Sequence, residues 1–497
     1  MASSAAHRGE PKHRIGYLVL GRWLFRLVSV AVIVVVTVYL VRAFDSRSAG
    51  PLGPEHRATF AAEFTAQIES TTTWDRYLSI EAELAEELAD KVDSRHPGRL
   101  FNRHVAGSDS HPERYERNWN RSYTLAPSAL PVRGVAVMTH GLTASPYSLL
   151  ATARLFAAEG YYVVVPRMPG HGFAVGGLRQ ARWEDWAAAV RVAVRHARSL
   201  APDDAPLVMV GYSNGGLLTL HYALNCADDA GTPCPDRLVL YSPAIEVSPF
   251  AVLARLHRAL SWLDFFETFQ WLTVLPEVDP FNFSSFPKSA GWEIRELTRS
   301  TRALLEDPER TARLPPTLTF QSVVDDTVST RAVAGTLYRR LPANGSELVI
   351  YDVNRFSAAL DLMRDVPEDQ VAWALSRAPW NFSLMILSNR SSDGLEIDIY
   401  ELRAGATAIE QQPTELRWPG DVFSLSHIAV PFSPLDPVYG NQAVGEPGRP
   451  RISLGALVPR GERDVLSIAP NYFMRLRYNP MYEFQAEKIA TTLRKGH

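Results

Sequence analysis

The sequence has very little cysteine and almost no net charge. Only two of its 497 residues are cysteines, and 51 lysines and arginines nearly balance 54 aspartates and glutamates, which leaves a formal net charge of -3. This balance gives no electrostatic argument for nucleic-acid binding. The chain has no HExxH segment, no clustered CxxC pairs and no P-loop, so we expect no metal and no cofactor. It also lacks internal repeats and long low-complexity tracts.

What is present is the composition of a globular protein. Hydrophobic residues make up 46% of the chain, enough for a large core in one large domain or two to three smaller ones. The two cysteines, Cys226 and Cys234, bracket a short loop and could close a disulfide in an oxidising compartment. Two free thiols that lie close together are the alternative.

One long apolar run lies near the N-terminus. Residues 27–41 (LVSVAVIVVVTVYLV) contain no charged side chain, and Trp23, Leu24 and Phe25 extend the run. We interpret residues 23–44 as an uncleaved transmembrane signal anchor, preceded by a cytoplasmic segment at 1–22. Five arginines and lysines precede the run and two arginines follow it, which predicts that the bulk of the chain lies on the periplasmic or extracellular side. A cleaved signal peptide is the alternative, disfavoured by the long N-terminal segment.

Residues 45–110 are predicted to form a linker and a helical region. Between about residues 58 and 92 the apolar side chains recur at helical spacing, which predicts one or two amphipathic helices with a break at Thr71–Thr73. The spacing leaves open whether these helices pack on the rest of the protein or form a stalk. In residues 111–497, buried apolar strands alternate with helices, and this favours a mostly parallel sheet with helices on both faces.

A serine stands between two glycines where one of these strands gives way to a helix. Ser213 lies in the pattern G-x-S-x-G, flanked by Gly211 and Gly215. In a nucleophile elbow, such a serine occupies the apex of a strained strand-to-helix turn. A chance match is the alternative, but the apolar LVMV before the pattern and the helical periodicity after it are the context that the motif requires. The sequence therefore predicts Ser213 as a nucleophile.

A serine nucleophile needs a histidine as base and an acid that orients the histidine. Downstream of Ser213, an apolar strand leads into Asp325 and Asp326. We favour Asp325, since Val328 follows it by three residues in the arrangement expected at the end of an acid-bearing strand. Asp326 stays the alternative.

The general base follows by elimination. In enzymes with a nucleophile elbow the histidine follows the acid, and only His427 and the terminal His497 meet that condition. We choose His427, because His497 lies at the end of the chain. The oxyanion of the intermediate needs two N–H donors, which we assign to the backbone of Asn214 and of Leu142.

Five segments together resemble the α/β-hydrolase superfamily: HGLTASPYSLL, VPRMPGHG, GYSNGG, VVDDTV and SHIAVP. Within the superfamily they resemble the monoacylglycerol-lipase and serine-aminopeptidase-like (lysophospholipase-type) branch. The resemblance covers roughly residues 123–497 and implies an eight-stranded sheet and a serine hydrolase of esters or amides. Two features depart from the pattern. One is the N-terminal region, and the other is an insertion at 355–419, which separates His427 from Asp325 by roughly a hundred residues.

Residues 246–314 are predicted to form a helical cap, inserted before the strand that bears the acid. The segment is rich in phenylalanine and tryptophan, which either form the cap's own core or favour a hydrophobic acyl substrate. We expect a membrane-anchored serine hydrolase of carboxylic esters, similar to esterases and lysophospholipases, whose partners are a small hydrophobic ester and the membrane but no nucleic acid. A peptidase or amidase with the same triad is one alternative. A catalytically silent, membrane-tethered scaffold is the other.

Overall fold

The protein is described from a computed structural model. The described residues are 12–47, 51–95, 101–128, 130–228, 232–246, 267–323, 332–356, 369–420, 422–441, 454–457 and 475–495.

The main helices of these residues are α1 (Lys12–Arg47), α2 (Trp74–Lys91), α3 (Leu150–Ala158), α4 (Trp183–Arg198), α5 (Asn214–Asn225), α6 (Lys288–Leu305), α7 (Gln370–Leu375) and α8 (Tyr482–Arg494). The strands are β1 (Tyr123–Leu125), β2 (Gly134–Thr139), β3 (Tyr161–Val165), β4 (Leu207–Tyr212), β5 (Arg237–Tyr241), β6 (Trp271–Thr273), β7 (Phe286–Pro287), β8 (Thr317–Ser322), β9 (Glu347–Tyr351), β10 (Ser383–Asn389), β11 (Glu396–Leu402), β12 (Glu410–Arg417), β13 (Ala456–Leu457) and β14 (Arg475–Leu476).

Ten of these strands form one sheet in the order β1-β3-β2-β4-β5-β8-β9-β10-β11-β12. The strands from β3 to β10 in this order run parallel, while β1 at one edge and β11 and β12 at the other are antiparallel to their neighbours. Side chains alternate between two buried clusters, with Val135 and Val137 in one and Ala136 and Met138 in the other. A central strand is apolar throughout because both faces of the parallel sheet are covered. The prediction of a mostly parallel sheet is confirmed.

The predicted insertion at 355–419 enlarges this sheet. Its residues supply β10, β11 and β12, so the described sheet has ten strands and not the eight that the resemblance implied. The extension begins with β10, which pairs parallel to β9, and ends in the exposed antiparallel strand β12. The insertion is thus largely a continuation of the hydrolase sheet.

Helix α1 covers the segment predicted as a membrane anchor. Its described apolar side chains lie in solvent, with Phe25 73% and Trp23 60% exposed. Among the described residues, no helix combines the length and the apolarity needed to cross a membrane.

The predicted cap is only partly described. Residues 247–266 lie outside the described residues, and the remainder contains the β6–β7 ribbon and the amphipathic helix α6. Leu297 of α6 is buried in the same core cluster as Leu217 and Leu220 of α5. Phe269, Trp271, Phe281 and Phe283 are buried as well, so the described aromatic side chains of this segment belong largely to the protein core.

The N-terminal helical region packs on the catalytic body. Helix α2 begins directly after Thr73, whose hydroxyl accepts a hydrogen bond from the N–H of Arg76 (3.2 Å), so the break predicted at 71–73 is present. The stretch before it forms only a short 3₁₀ helix, Ala66–Thr71. The Tyr77 hydroxyl donates to the backbone oxygen of Arg167 (2.6 Å) after β3. The stalk alternative is therefore wrong for this region.

A fully buried arginine joins the two parts. The Arg167 guanidinium lies 2.8 Å from Glu63 and 3.3 Å from Glu81, both in the N-terminal region. Glu81 also accepts the backbone N–H of Ser122 (2.9 Å). Burial raises the pKa of Glu81, while Arg167 and Ser122 act in the opposite direction. Burial lowers the pKa of Arg167, but Glu63 and Glu81 outweigh it and the net shift is upward. The charges of Arg167, Glu63 and Glu81 therefore stabilise one another, and removal of Arg167 would leave the two carboxylates without their cation.

Arg167→Met should lower the free energy of unfolding by about 3–5 kcal/mol, because it leaves two carboxylates without their buried cation. Arg191→Met is the matched control, since Arg191 also joins this region to the body through Glu69 but has a side chain 40% exposed. Its ion pair should contribute about 0–1 kcal/mol. Thermal and urea unfolding measure both values, and equal effects of the two variants would contradict the role given to Arg167.

Candidate active site

Ser213 occupies a strained turn between β4 and α5. Its backbone angles are φ 55° and ψ -116°, a conformation that residues other than glycine rarely adopt. The N–H of Ser213 donates to the oxygen of Tyr241 (2.8 Å), and its own oxygen accepts from the N–H groups of Ala244 and Leu217 (both 3.1 Å). These bonds keep Ser213 in this conformation, which costs about 1–3 kcal/mol. Such strain is typical of functional sites.

The flanking glycines are required by the close approach of strand and helix. A Cβ atom on Gly215 would lie 1.9 Å from the backbone oxygen of Thr139, and one on Gly211 would lie 2.5 Å from the Cα of Gly216. Neither position has room for a side chain. Helix α5 therefore begins against β2 and β4, with its free N–H groups at Ser213.

The turn after β2 lies directly against Ser213. A Cβ atom on Gly141 would be 3.3 Å from the Cβ of Ser213. Thr143, two residues later, has a φ of 67°, and its oxygen accepts from the N–H of Phe283 (2.9 Å). The N–H of Leu142 donates no hydrogen bond to a described residue. Asn214 is the first residue of α5, and the first N–H groups of a helix have no partner within it.

His427 lies beside the same strand end. Its ring centroid is 5.5 Å from the ring centroid of Tyr212, the residue before Ser213. The loop that carries it is bound on two sides: the Ser322 hydroxyl donates to the oxygen of Leu425 (2.7 Å), and the Ser426 hydroxyl donates to the oxygen of Leu476 (3.1 Å). The loop is thereby attached to the end of β8.

The insertion begins and ends at one point of the sheet. Asn354, three residues after β9, donates its N–H to the oxygen of Phe423 (2.6 Å) and its side-chain amide to the oxygen of Val422 (2.9 Å). The chain departs after β9, adds three strands and returns beside its point of departure. The long insertion therefore does not prevent the loop of His427 from lying close in space to the end of β9.

Asp325 and its alternative Asp326 both lie outside the described residues. The strand that leads towards them, β8, ends at Ser322.

Three other histidines near this region have structural environments. Burial lowers the pKa of His140 to about 4. Its Nδ1 lies 2.9 Å from the oxygen of Gly141, and its Nε2 accepts the N–H of Met168 (3.0 Å), so the ring joins the ends of β2 and β3. Burial also lowers the pKa of His171 well below its usual value, and that of His221 to about 4. All three rings are thereby kept neutral.

A second serine–histidine pair lies elsewhere in the fold. His56 Nε2 is 3.0 Å from Ser285 Oγ. The Ser285 hydroxyl donates its proton to the oxygen of Leu275 (2.9 Å) and accepts the N–H of the same residue (3.0 Å). Because this serine is completely buried and its proton is already donated, the pair joins segments of the chain and does not form a second nucleophilic site.

A pocket opens beside the Ser213 turn. Tyr212 and Ala144 contribute to its wall from the strand end and the β2 turn, and Ile428 contributes from the residue after His427. The other lining residues are Tyr147, Ser148, Phe281, Asn282, Phe432, Tyr439 and Arg477. Most of this wall is apolar or aromatic.

Two polar residues of this pocket, Asn282 and Arg477, are not among the site residues predicted from the sequence. The only sequence pattern at Asn282 is an Asn-x-Ser triplet. Arg477 lies in the segment FMRLRYNP, which contains no recognised motif. Asn282 Oδ1 accepts the hydroxyl of Thr143 (3.1 Å), which ties this wall to the β2 turn.

Comparison with known proteins gives one family and one curated relative. Residues 131–355 match the family described as serine aminopeptidase, S33. The thermostable monoacylglycerol lipase of Bacillus sp. (strain H-257) is 30% identical over 95 residues, which are 19% of this chain and 37% of that enzyme. The chain thus matches little more than a third of the length of this relative.

Solved structures with similar chains include two monoacylglycerol lipases. The Paleococcus ferrophilus enzyme is 17% identical at a TM-score of 0.34, over 46% of this chain and 88% of its own. A soluble variant of the Saccharomyces cerevisiae monoglyceride lipase is 17% identical at a TM-score of 0.36, over 46% and 82%. At such scores these matches carry no argument of their own.

The fold assignment rests on the sheet and on the sequence match. The parallel strand order, the strained serine between β4 and α5 and the family match over residues 131–355 agree with one another. This chain contains an α/β-hydrolase domain that resembles the monoacylglycerol-lipase and serine-aminopeptidase branch of that superfamily.

Proposed function

We propose that the protein is a serine hydrolase that cleaves carboxylic esters of hydrophobic acyl substrates. The observation that carries the proposal is the Ser213 turn, a strained residue at a helix N-terminus with the β2 turn against it. The thermostable monoacylglycerol lipase of Bacillus sp. (strain H-257), which matches part of this chain, supports the same reaction class. Ser213 is the nucleophile, His427 the general base and Asp325 the acid, with Asp326 as the alternative acid.

In the acylation step, Ser213 Oγ attacks the carbonyl carbon of the ester while His427 takes the hydroxyl proton. The carbonyl oxygen becomes negatively charged and is stabilised by the N–H groups of Leu142 and Asn214. When the intermediate collapses, the bond between the acyl carbon and the alcohol oxygen breaks. His427 returns its proton to the departing alcohol, and the acyl group stays on Ser213.

In the deacylation step, a water molecule takes the place of the alcohol. His427 removes a proton from this water, and the resulting hydroxide attacks the acyl carbon. The same two N–H groups stabilise the second oxyanion. The carboxylic acid leaves, and Ser213 recovers its proton from His427.

The pocket wall favours an ester over a peptide with a free amino terminus. A carboxylate that faces the substrate would pair with a cationic amine, but the described lining residues include no aspartate or glutamate. They include one cation, Arg477, and a mainly aromatic surface. The absence of a carboxylate among the described lining residues thus disfavours the peptidase alternative. Apolar lining with few polar groups is typical of sites for hydrophobic ligands.

Ser213→Ala should abolish hydrolysis of p-nitrophenyl esters and labelling by a fluorophosphonate probe. The turnover should fall by about three orders of magnitude or more, because the nucleophile is removed while the fold keeps its core. Ser242→Ala is the matched control, since Ser242 is a buried serine with positive φ (43°) at the end of the neighbouring strand β5. Turnover of the Ser213 variant within tenfold of the unmodified protein would rule out the nucleophile.

His427→Gln should lower turnover by about three orders of magnitude, since the hydroxyl of Ser213 then loses its base. His196→Gln serves as the control, because His196 is a half-buried ring on α4 that stacks on Trp74. Both variants are assayed with the same ester and checked by circular dichroism. Unaltered turnover in a folded His427 variant would remove this residue from the mechanism.

We further propose that residues 23–44 hold the catalytic domain to a membrane, with the domain on the extracytoplasmic side. The support is the excess of arginine and lysine before the apolar run and the exposed apolar side chains of α1. The disulfide between Cys226 and Cys234 agrees with an oxidising compartment.

Protease added to intact cells whose outer layers are permeabilised should digest the catalytic domain, while cytoplasmic marker proteins survive. Thiol titration of the purified, denatured protein should find no free thiol until reductant is added. Protection of the domain in permeabilised cells, together with its digestion in inverted membrane vesicles, would contradict the topology. Recovery of the unmodified protein in the soluble fraction would contradict the attachment.

A further inference from the structure

The pocket beside Ser213 has a buried cation in its wall. The Arg477 side chain is only 9% exposed and lines the pocket together with Tyr212, the neighbour of Ser213. Arginine is almost never buried without a partner for its charge. The arrangement of its donors therefore indicates what the pocket is built to accept.

One side of the guanidinium is hydrogen-bonded, and the other has no acceptor among the described residues. Nη1 donates to Asp279 Oδ2 (2.6 Å), and this is the only hydrogen bond from the guanidinium to a described residue. Nε is buried and has no hydrogen-bond partner. Because an arginine presents five N–H donors, the edge formed by Nε and Nη2 is left without an acceptor.

The same contacts hold Arg477 in place. Its guanidinium carbon lies 4.2 Å from the centroid of the Tyr439 ring, and the Tyr439 hydroxyl donates to Asp279 Oδ1 (2.6 Å). Asp279 also accepts the backbone N–H groups of Phe281 (3.0 Å) and Asn282 (3.1 Å), which are both pocket residues. Asp279 thereby fixes the arginine and one wall of the pocket together.

A purely structural role for Arg477 does not explain why this edge has no hydrogen-bond acceptor. The pairing with Asp279 uses Nη1 alone, and a buried donor without a partner is unfavourable. A carboxylate or phosphate matches the two parallel N–H groups of an arginine edge and forms charge-assisted hydrogen bonds with them.

We propose that Arg477 binds an anionic oxygen group of the substrate, a carboxylate or a phosphate, through the Nε and Nη2 edge. This inference rests on the proposed ester hydrolysis at Ser213 and specifies its substrate class. The substrate is then an amphiphilic ester with an apolar part against the aromatic wall and one negatively charged group at Arg477.

Two pairs of esters test the proposal and distinguish the two sources of the anion. The first pair is p-nitrophenyl hexanoate and mono-p-nitrophenyl adipate, which differ by a carboxylate at the end of the acyl arm. The second pair is a medium-chain monoacylglycerol and its glycerol phosphate counterpart, which differ by a phosphate on the alcohol arm. Arg477→Met should lower kcat/KM about 10- to 100-fold for the anionic member of one pair, with neutral members changed less than about threefold.

Three variants serve as controls. Arg477→Lys keeps the charge without the planar fork and should give an intermediate loss. Arg154→Met removes an exposed cation on α3, paired with Glu116, and should change no ratio. Because Arg477→Met leaves Asp279 without its cation, the double variant Asp279→Asn/Arg477→Met provides the comparison if the single variant does not fold.

An equal change in all four esters, or no change in any, would overturn the anion subsite. Hydrolysis of the neutral esters that depends on Ser213 would in that case leave the proposed function intact. If no ester is hydrolysed, the proposed function fails, and thermal-shift titrations with adipate and glycerol phosphate still test the subsite. Stabilisation of the unmodified protein that disappears in the Arg477 variant supports the subsite, and equal shifts in both proteins reject it.

Discussion

The start of helix α5 lies so close to strand β2 that residue 215 has no room for a side chain. A Cβ atom there would overlap the backbone oxygen of Thr139, and this contact fixes where the helix begins. The chain must therefore turn within one residue after β4, which forces Ser213 into a positive φ. The free N–H groups of the helix and the β2 turn therefore lie next to Ser213.

The insertion between β9 and His427 shows how a fold tolerates a long addition next to its chemistry. Three extra strands continue the sheet: β10 pairs with β9, β11 with β10 and β12 with β11, so that only the outer edge of β12 is left without a neighbouring strand in the described sheet. The hydrogen bonds of Asn354 join the two ends of the insertion, so the length of the insertion does not change where the loop of His427 begins. Loop-closure entropy grows only logarithmically with length, which makes such an addition inexpensive.

The N-terminal region is a structural part of the hydrolase body and not an independent stalk. Glu63 and Glu81 reach the buried guanidinium of Arg167, whose own backbone follows β3 directly. These charges avoid the cost of burial only when the two parts of the chain are joined. In the pocket wall, Asp279 compensates the buried charge of Arg477 in the same way, while the Nε edge of the guanidinium has no acceptor among the described residues.

The sequence by itself determined the features that depend on neighbours along the chain. The alternation of strands and helices, the Ser213 motif and the helix break at Thr71–Thr73 are local patterns, because hydrophobic spacing and turn chemistry act over a few residues. His427 followed by elimination, and Asp325 stays a prediction. Only the tertiary structure decided that α2 packs on the body and that the insertion extends the sheet. It also decided that Arg477 meets Asp279, 198 residues away, beside the pocket. Such contacts depend on how distant segments pack together, and no spacing within one segment encodes them.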